Sequence, residues 1–153
     1  MIPFNKPYLT GLETEYIKKA VDFGQISGYV VFTKKCHDFF KKCWGFDNSL
    51  LTTSCTDALE MSALLLDIKP GDEVIMPSYT FVSTALAFVR QGAQIIFTDS
   101  RKDHPGMDED QIEALITSKT KAIVVVHYAA VACDMDEIMS IARKYNLYVV
   151  EDA

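Results

Sequence analysis

The run Ala122-Ile123-Val124-Val125-Val126 contains no polar residue, and four of its five side chains are β-branched. It is too short for an ordinary helix, and a strand without polar alternation must be covered on both faces. That condition is met inside a parallel sheet held between two layers of helices. Four further runs read as strands, at 50–53, 73–76, 94–98 and 147–152. Between them lie segments with helical spacing at 58–65, 80–91, 108–116 and 135–145, the last capped by Asp134. Five strands alternating with helices predict an α/β fold, a mainly parallel sheet in a three-layer α/β/α arrangement.

Two amphipathic helices precede this alternation. Thr10-x-x-Glu13 is a capping box, and the helix it opens turns Leu12, Tyr16, Ile17, Ala20 and Phe23 to one side before Gly24 ends it. A second helix, from near Thr33 to Gly45, is expected to bury Cys36, Phe39, Phe40, Cys43 and Trp44. Cys36 and Cys43 stand seven apart on one helical face, where small buried hydrophobes are expected. No repeat, low-complexity tract or linker interrupts the 153 residues, so one domain is expected.

Composition narrows the function. No apolar run approaches the roughly 20 residues that span a bilayer. Met1-Ile2-Pro3-Phe4-Asn5-Lys6 lacks a signal peptide's basic-then-apolar order, so a cytoplasmic location is the expectation. The net charge is −6 with scattered Lys and Arg, which argues against a nucleic-acid groove or an anionic membrane as partner. Cys36, Cys43, Cys55 and Cys133 form no C-x-x-C pair and have no histidine at ligand spacing, and no metal site is expected in this chain. Walker A, G-x-G-x-x-G, H-E-x-x-H and G-x-S-x-G patterns are absent.

In an open parallel sheet the ligand site lies at the carboxyl ends of the strands. Those ends carry Ser54-Cys55-Thr56, Ser78-Tyr79-Thr80, Asp99-Ser100, His127-Tyr128 and Glu151-Asp152. Each candidate has two readings. Thr53-Ser54-Cys55-Thr56-Asp57-Ala58 opens a helix, whose N-terminal N–H groups suit a phosphate; plain N-capping by Ser54 or Thr56 needs no ligand. Asp152, directly after apolar residues, suits pairing with a cation, or it caps a following helix. Phe81 can stack on a flat ring or pack a helix on the sheet. His127 can serve as an acid or base, or as a satisfied structural histidine.

Taken in order, residues 1–5, 32–36, 53–61, 69–84, 126–129, 131–136 and 149–153 resemble the DegT/DnrJ/EryC1/StrS family of sugar aminotransferases, fold-type-I enzymes dependent on pyridoxal 5'-phosphate (PLP). The resemblance implies that Cys55, Thr56 and Asp57 hold the cofactor phosphate, that Phe81 stacks on the pyridine ring and that Asp152 pairs with the ring nitrogen. It implies amino transfer from glutamate to a nucleotide-linked 4-keto-6-deoxy sugar, in a homodimer. Two departures stand out. Gly28-Tyr29-Val30-Val31 replaces the family's Gly-Asp-Gly loop near the active-site mouth, and Ala130 replaces a glycine common after His-Tyr-Ala.

The family's cofactor-bearing lysine lies downstream of the Asp152 motif and matches no lysine here. The chain is therefore expected to be the N-terminal portion of the large PLP-binding domain, lacking the lysine region and the small C-terminal domain. The alternatives are a non-catalytic remnant that binds a phosphate ligand or a full-length relative, and another fold-type-I enzyme such as a sugar dehydratase. In the family's sheet, strands from later in the sequence separate the 50–53 strand from the rest, so in this piece that strand is expected to lack neighbours.

Overall fold

The computed structural model describes residues 6–24 and 26–153, so the matching stretch at 1–5 lies outside the described residues. The chain forms two compact units, Met1–Leu51 and Thr52–Ala153.

The first unit holds α1 (Glu13–Asp22) and α2 (Val31–Trp44). At the start of α1 the Thr10 N–H donates to Glu13 Oε1 at 2.6 Å, one half of the expected capping box, but the N-cap is Leu12 and no side chain caps the helix. The Thr10 hydroxyl accepts from Leu12 rather than from Glu13, at 3.3 Å. Gly45 ends α2 in the left-handed region, at φ +72°, where a glycine meets no Cβ penalty.

The expected burial along α2 is overturned: neither helix has a buried residue, and Cys36 and Cys43 are both exposed. Phe39 and Trp44 are each more than half exposed and meet edge-to-face, with centroids 5.2 Å apart. An apolar stripe marks the side of a helix that favours burial; it does not supply the surface that buries it. Tyr29 sits at φ +60°, a costly conformation for a bulky side chain, in the segment that departs from the family's glycine-rich loop.

The second unit contains the sheet. Its elements are α3 (Cys55–Leu65), β1 (Glu73–Pro77), α4 (Val82–Val89), β2 (Gln94–Thr98), α5 (Ile112–Leu115), β3 (Thr120–Val126), α6 (Met135–Tyr145) and β4 (Tyr148–Asp152). The order is β2-β1-β3-β4, and every pairing is parallel. Four strands form where the sequence predicts five. Residues 50–53 take no strand conformation and pair with none of the four strands, in line with the expectation that this segment lacks its neighbours here. The segment predicted as a helix over 108–116 is a 3-10 turn, Glu109–Gln111, followed by the single turn α5.

Alternate strand residues feed two separate cores, as the period of 2 requires. Val74, Met76, Ala122 and Val124 pack with Leu59, Ala63, Ala87 and Phe88 of α3 and α4. Ile75, Ile123 and Val125 face the opposite way and pack with Ile112 of α5 and Ile138, Ile141 and Ala142 of α6. Helices therefore cover both faces of β1 and β3, which is why residues 74–76 and 122–126 are all apolar. Burial of each large aliphatic side chain there contributes about 1.5–3 kcal/mol.

From β1 the chain crosses to β2 on one side, then passes back over β1 to reach β3. The reversal leaves a crevice outside the carboxyl ends of β1 and β3, the topological switch point where open α/β sheets bind ligands.

Candidate functional site

Three elements converge on the Asp152 carboxylate. Asp152 is the last residue of β4, and the ladder to β3 continues to it through His127 N–H donating to its carbonyl at 2.9 Å. Thr84, fully buried in the first turn of α4, donates its hydroxyl to Asp152 Oδ2 at 2.7 Å. Cys55, the first residue of α3, sets its thiol 3.3 Å from Oδ1. Partial burial, the hydrogen bond to Asp152 and that carboxylate's charge all push the Cys55 thiol above its ordinary range. The aspartate is thus pinned at both oxygens by the N-termini of two helices.

The start of α3 is an open cradle of donors. Ser54 is the N-cap, and its hydroxyl accepts from Asp57 N–H at 3.1 Å. Among the described residues, the N–H groups of Cys55 and Thr56 have no acceptor in the protein. They point out of a helix N-terminus, the ordinary setting for a bound phosphate. Asp57 is placed differently. Its N–H is spent on Ser54, and its carboxylate accepts from the Thr53 hydroxyl, contacts with Thr53 and Ser54 that hold it below the usual carboxylate range.

Phe81 is the N-cap of α4, one turn before Thr84, and its ring is 72% exposed. The packing alternative for this residue therefore does not hold, and the ring is free to meet a planar group.

His127 resolves towards its structural reading. Its Nδ1 accepts the Cys133 backbone N–H at 3.2 Å, so the proton of the neutral ring lies on Nε2 and is directed at Glu151 Oε2, 3.0 Å away. With both nitrogens engaged, the imidazole fixes the end of β3 to the end of β4. At the switch point itself, Tyr79 and Tyr128 bring their ring centroids to 4.7 Å, and the Tyr128 partner raises the Tyr79 phenol above its ordinary range.

Sequence reasoning missed Thr84. The signal was present as Thr80-x-x-x-Thr84, two hydroxyls one turn apart at a strand-to-helix joint, now 2.9 Å from each other. Only the return of β4 beside β3 reveals what the second hydroxyl bonds. The donor set suits a flat phosphorylated group. Open N–H donors face one end, an exposed aromatic ring stands ready for a face, and a carboxylate is held rigid for a cation.

Known proteins carry the same arrangement of chain. A family model described as "DegT/DnrJ/EryC1/StrS aminotransferase family" matches residues 8–153. The chain is 37% identical over 151 residues to the GDP-perosamine synthase of Escherichia coli O157:H7, covering 99% of this chain and 42% of that protein. Among solved structures, the aminotransferase TlmJ from Streptoalloteichus hindustanus superposes with a TM-score of 0.92 at 30% identity, covering 100% of this chain and 42% of that one. The PLP form of the putative sugar aminotransferase Spr1654 from Streptococcus pneumoniae gives 0.86 at 27% identity, covering 99% and 42%. The chain spans between 31% and 42% of the length of the curated relatives it matches. These matches agree with the α/β fold and its parallel sheet, and the chain belongs to the DegT/DnrJ/EryC1/StrS aminotransferase family.

Proposed function

We propose that this chain is the N-terminal portion of the large domain of a PLP-dependent aminotransferase, one that moves an amino group from glutamate to a nucleotide-linked 4-keto-6-deoxy sugar. The convergence of Cys55, Thr84 and Asp152 carries the reading. The relative named GDP-perosamine synthase supports a nucleotide sugar as substrate. The PLP and PMP forms of Spr1654 support the cofactor. Within the family, the segments also resemble dTDP-4-amino-4,6-dideoxygalactose transaminase, which favours a dTDP-linked or GDP-linked hexose. The working protein is a cytoplasmic homodimer, and residues following Ala153 supply the lysine and the small domain.

When bound, PLP supplies an electron sink for the carbon that loses a proton during amino transfer. The residues of this chain bind and tune it. Cys55 and Thr56 N–H groups, with the Thr56 hydroxyl, hold the phosphate at the positive end of α3. Asp57 contributes least to that cradle, since its N–H is already taken. The Phe81 ring would stack on the pyridine and exclude water from it. Asp152 would pair with the ring nitrogen and favour its protonated form, while Thr84 and Cys55 keep the carboxylate from turning away.

Binding of PMP tests the cradle. PMP has no aldehyde, so its affinity owes nothing to a lysine, and it is measured by fluorescence titration of the full-length protein. Asp152→Asn removes a charge-assisted hydrogen bond of about 1.5–3 kcal/mol, so affinity should fall about 10–100-fold. Equal PMP affinity in wild type and Asp152→Asn would overturn the assigned roles. Transfer of 15N from labelled glutamate to the keto sugar then tests the reaction. PMP binding without any transfer would favour the non-catalytic alternative.

A further inference from the structure

A second group of polar side chains lies away from the Asp152 site. Carboxylate oxygens of Glu109, Asp134 and Glu137 lie within 4.8 Å of one another. Glu109 is the residue that makes the cluster unusual. It belongs to the 3-10 turn after β2 and is only 2% exposed. One of its oxygens, Oε1, is paired with the Arg101 guanidinium. The other, Oε2, is buried with no hydrogen-bond partner among the described residues. Buried carboxylate oxygens are nearly always satisfied, so an unpaired one asks for an occupant.

Asp134 caps α6 through Oδ1, which accepts from Glu137 N–H at 3.2 Å, and its second oxygen is left over. Glu137 is exposed and free to turn towards the same point. Burial and the charges of Asp110, Glu109 and Asp134 hold Glu137 above the ordinary carboxylate range, while Arg101 acts in the opposite sense. The Arg101 guanidinium is shared with Asp103, so the carboxylates here outnumber the one cation beside them. Oxygens bound to one cation at about 2.0–2.6 Å lie within about 4–5 Å of each other. The cluster already meets that spacing.

We propose that Glu109, Asp134 and Glu137 bind one hard divalent cation of the calcium, magnesium or manganese class. Three oxygen ligands and no nitrogen or sulfur select that class, with water completing the shell. The ion joins the loop after β2 to the first turn of α6. The Cys133 N–H that holds His127 lies immediately before Asp134. The cation therefore steadies the segment that fixes the ends of β3 and β4, without touching the proposed cofactor.

Manganese alone serves as the probe. Its free EPR signal counts the ions bound by the full-length protein, with no PLP added and with calcium and magnesium as competitors. One equivalent should bind with a Kd in the millimolar range or tighter. Glu109→Gln and Glu137→Gln should each weaken binding at least about tenfold, whereas Glu60→Gln, paired with Arg90 on another face, should change nothing. Glu137 is exposed, so its variant keeps the test open if Glu109→Gln fails to fold. No bound manganese at about 10 mM, far above the range of protein oxygen sites, would overturn the proposal. Binding that ignores both Gln variants would do the same. Arg101 and the positive end of α6 would then balance the carboxylates without an ion.

Discussion

Ala129 and Ala130 sit side by side in the left-handed region, at φ +54° and +63°. Ala130 is also where the sequence departs from the family's glycine. A Cβ in this region costs about 1–2 kcal/mol. Replacing Ala130 with glycine removes that cost but adds about 0.5–1 kcal/mol of backbone entropy lost on folding. The net expectation for Ala130→Gly is a gain of about 0.5–1 kcal/mol. For a unit of about 100 residues this raises the melting temperature by about 2–8 °C.

Ala132, two residues on and also exposed, is not among the positive-φ residues. Ala132→Gly meets the entropy cost without the relief, so it should lower stability by about 0.5–1 kcal/mol. Urea denaturation of the three proteins side by side measures both signs. If Ala130→Gly destabilises as much as Ala132→Gly, the strain assigned to this turn does not exist.

Three further outcomes follow from other sites. Gly92 has φ +93°, and an added Cβ would lie 2.8 Å from Pro70 Cγ and 2.9 Å from Pro70 Cα; Gly92→Ala should cost at least about 2 kcal/mol in the same urea assay, and a neutral result would mean that the turn moves aside. Thr84→Val keeps the shape of the buried residue but removes the donor to Asp152 Oδ2; calorimetric melting should give a loss of about 1–3 kcal/mol, and an unchanged transition would show the bond contributes nothing. The raised Cys55 pKa leaves less thiolate at pH 8 than a free cysteine has, so iodoacetamide should label it slowly. Burial is the largest cause of that shift, and Asp152→Asn removes the carboxylate contribution that adds to it, so labelling should speed up, followed by peptide mass mapping; an unchanged rate would argue against the Cys55–Asp152 contact.

The candidate site residues were marked in the sequence by their positions. Cys55, Thr56, Phe81 and Asp152 each lie at a junction where an apolar run gives way to polar residues, and such junctions are visible in one dimension. What each one touches was not visible. Asp57 shares the loop with Cys55 and Thr56, yet its N–H is consumed by Ser54 Oγ. Thr84 read as an ordinary helix residue until β4, 64 residues further on, brought Asp152 within 2.7 Å of its hydroxyl. Glu109 read as part of a helix, and its burial depends on the loop geometry that Arg101 and the single-turn α5 impose.

Local chemistry by itself determined the strands β1, β2, β3 and β4, the caps at Ser54 and Asp134, and the glycine stop at Gly45. Each depends on neighbours within a few residues, through side-chain alternation or a hydrogen bond to a nearby N–H. Tertiary structure decided what depends on distant partners. It left 50–53 out of the sheet, since a strand exists only where a partner strand pairs with it and none of the four does. It left Cys36, Cys43 and Trp44 exposed, since a stripe is buried only by an opposing surface. It also gathered Cys55, Thr84 and Asp152, because the first turns of α3 and α4 both reach the carboxyl end of β4.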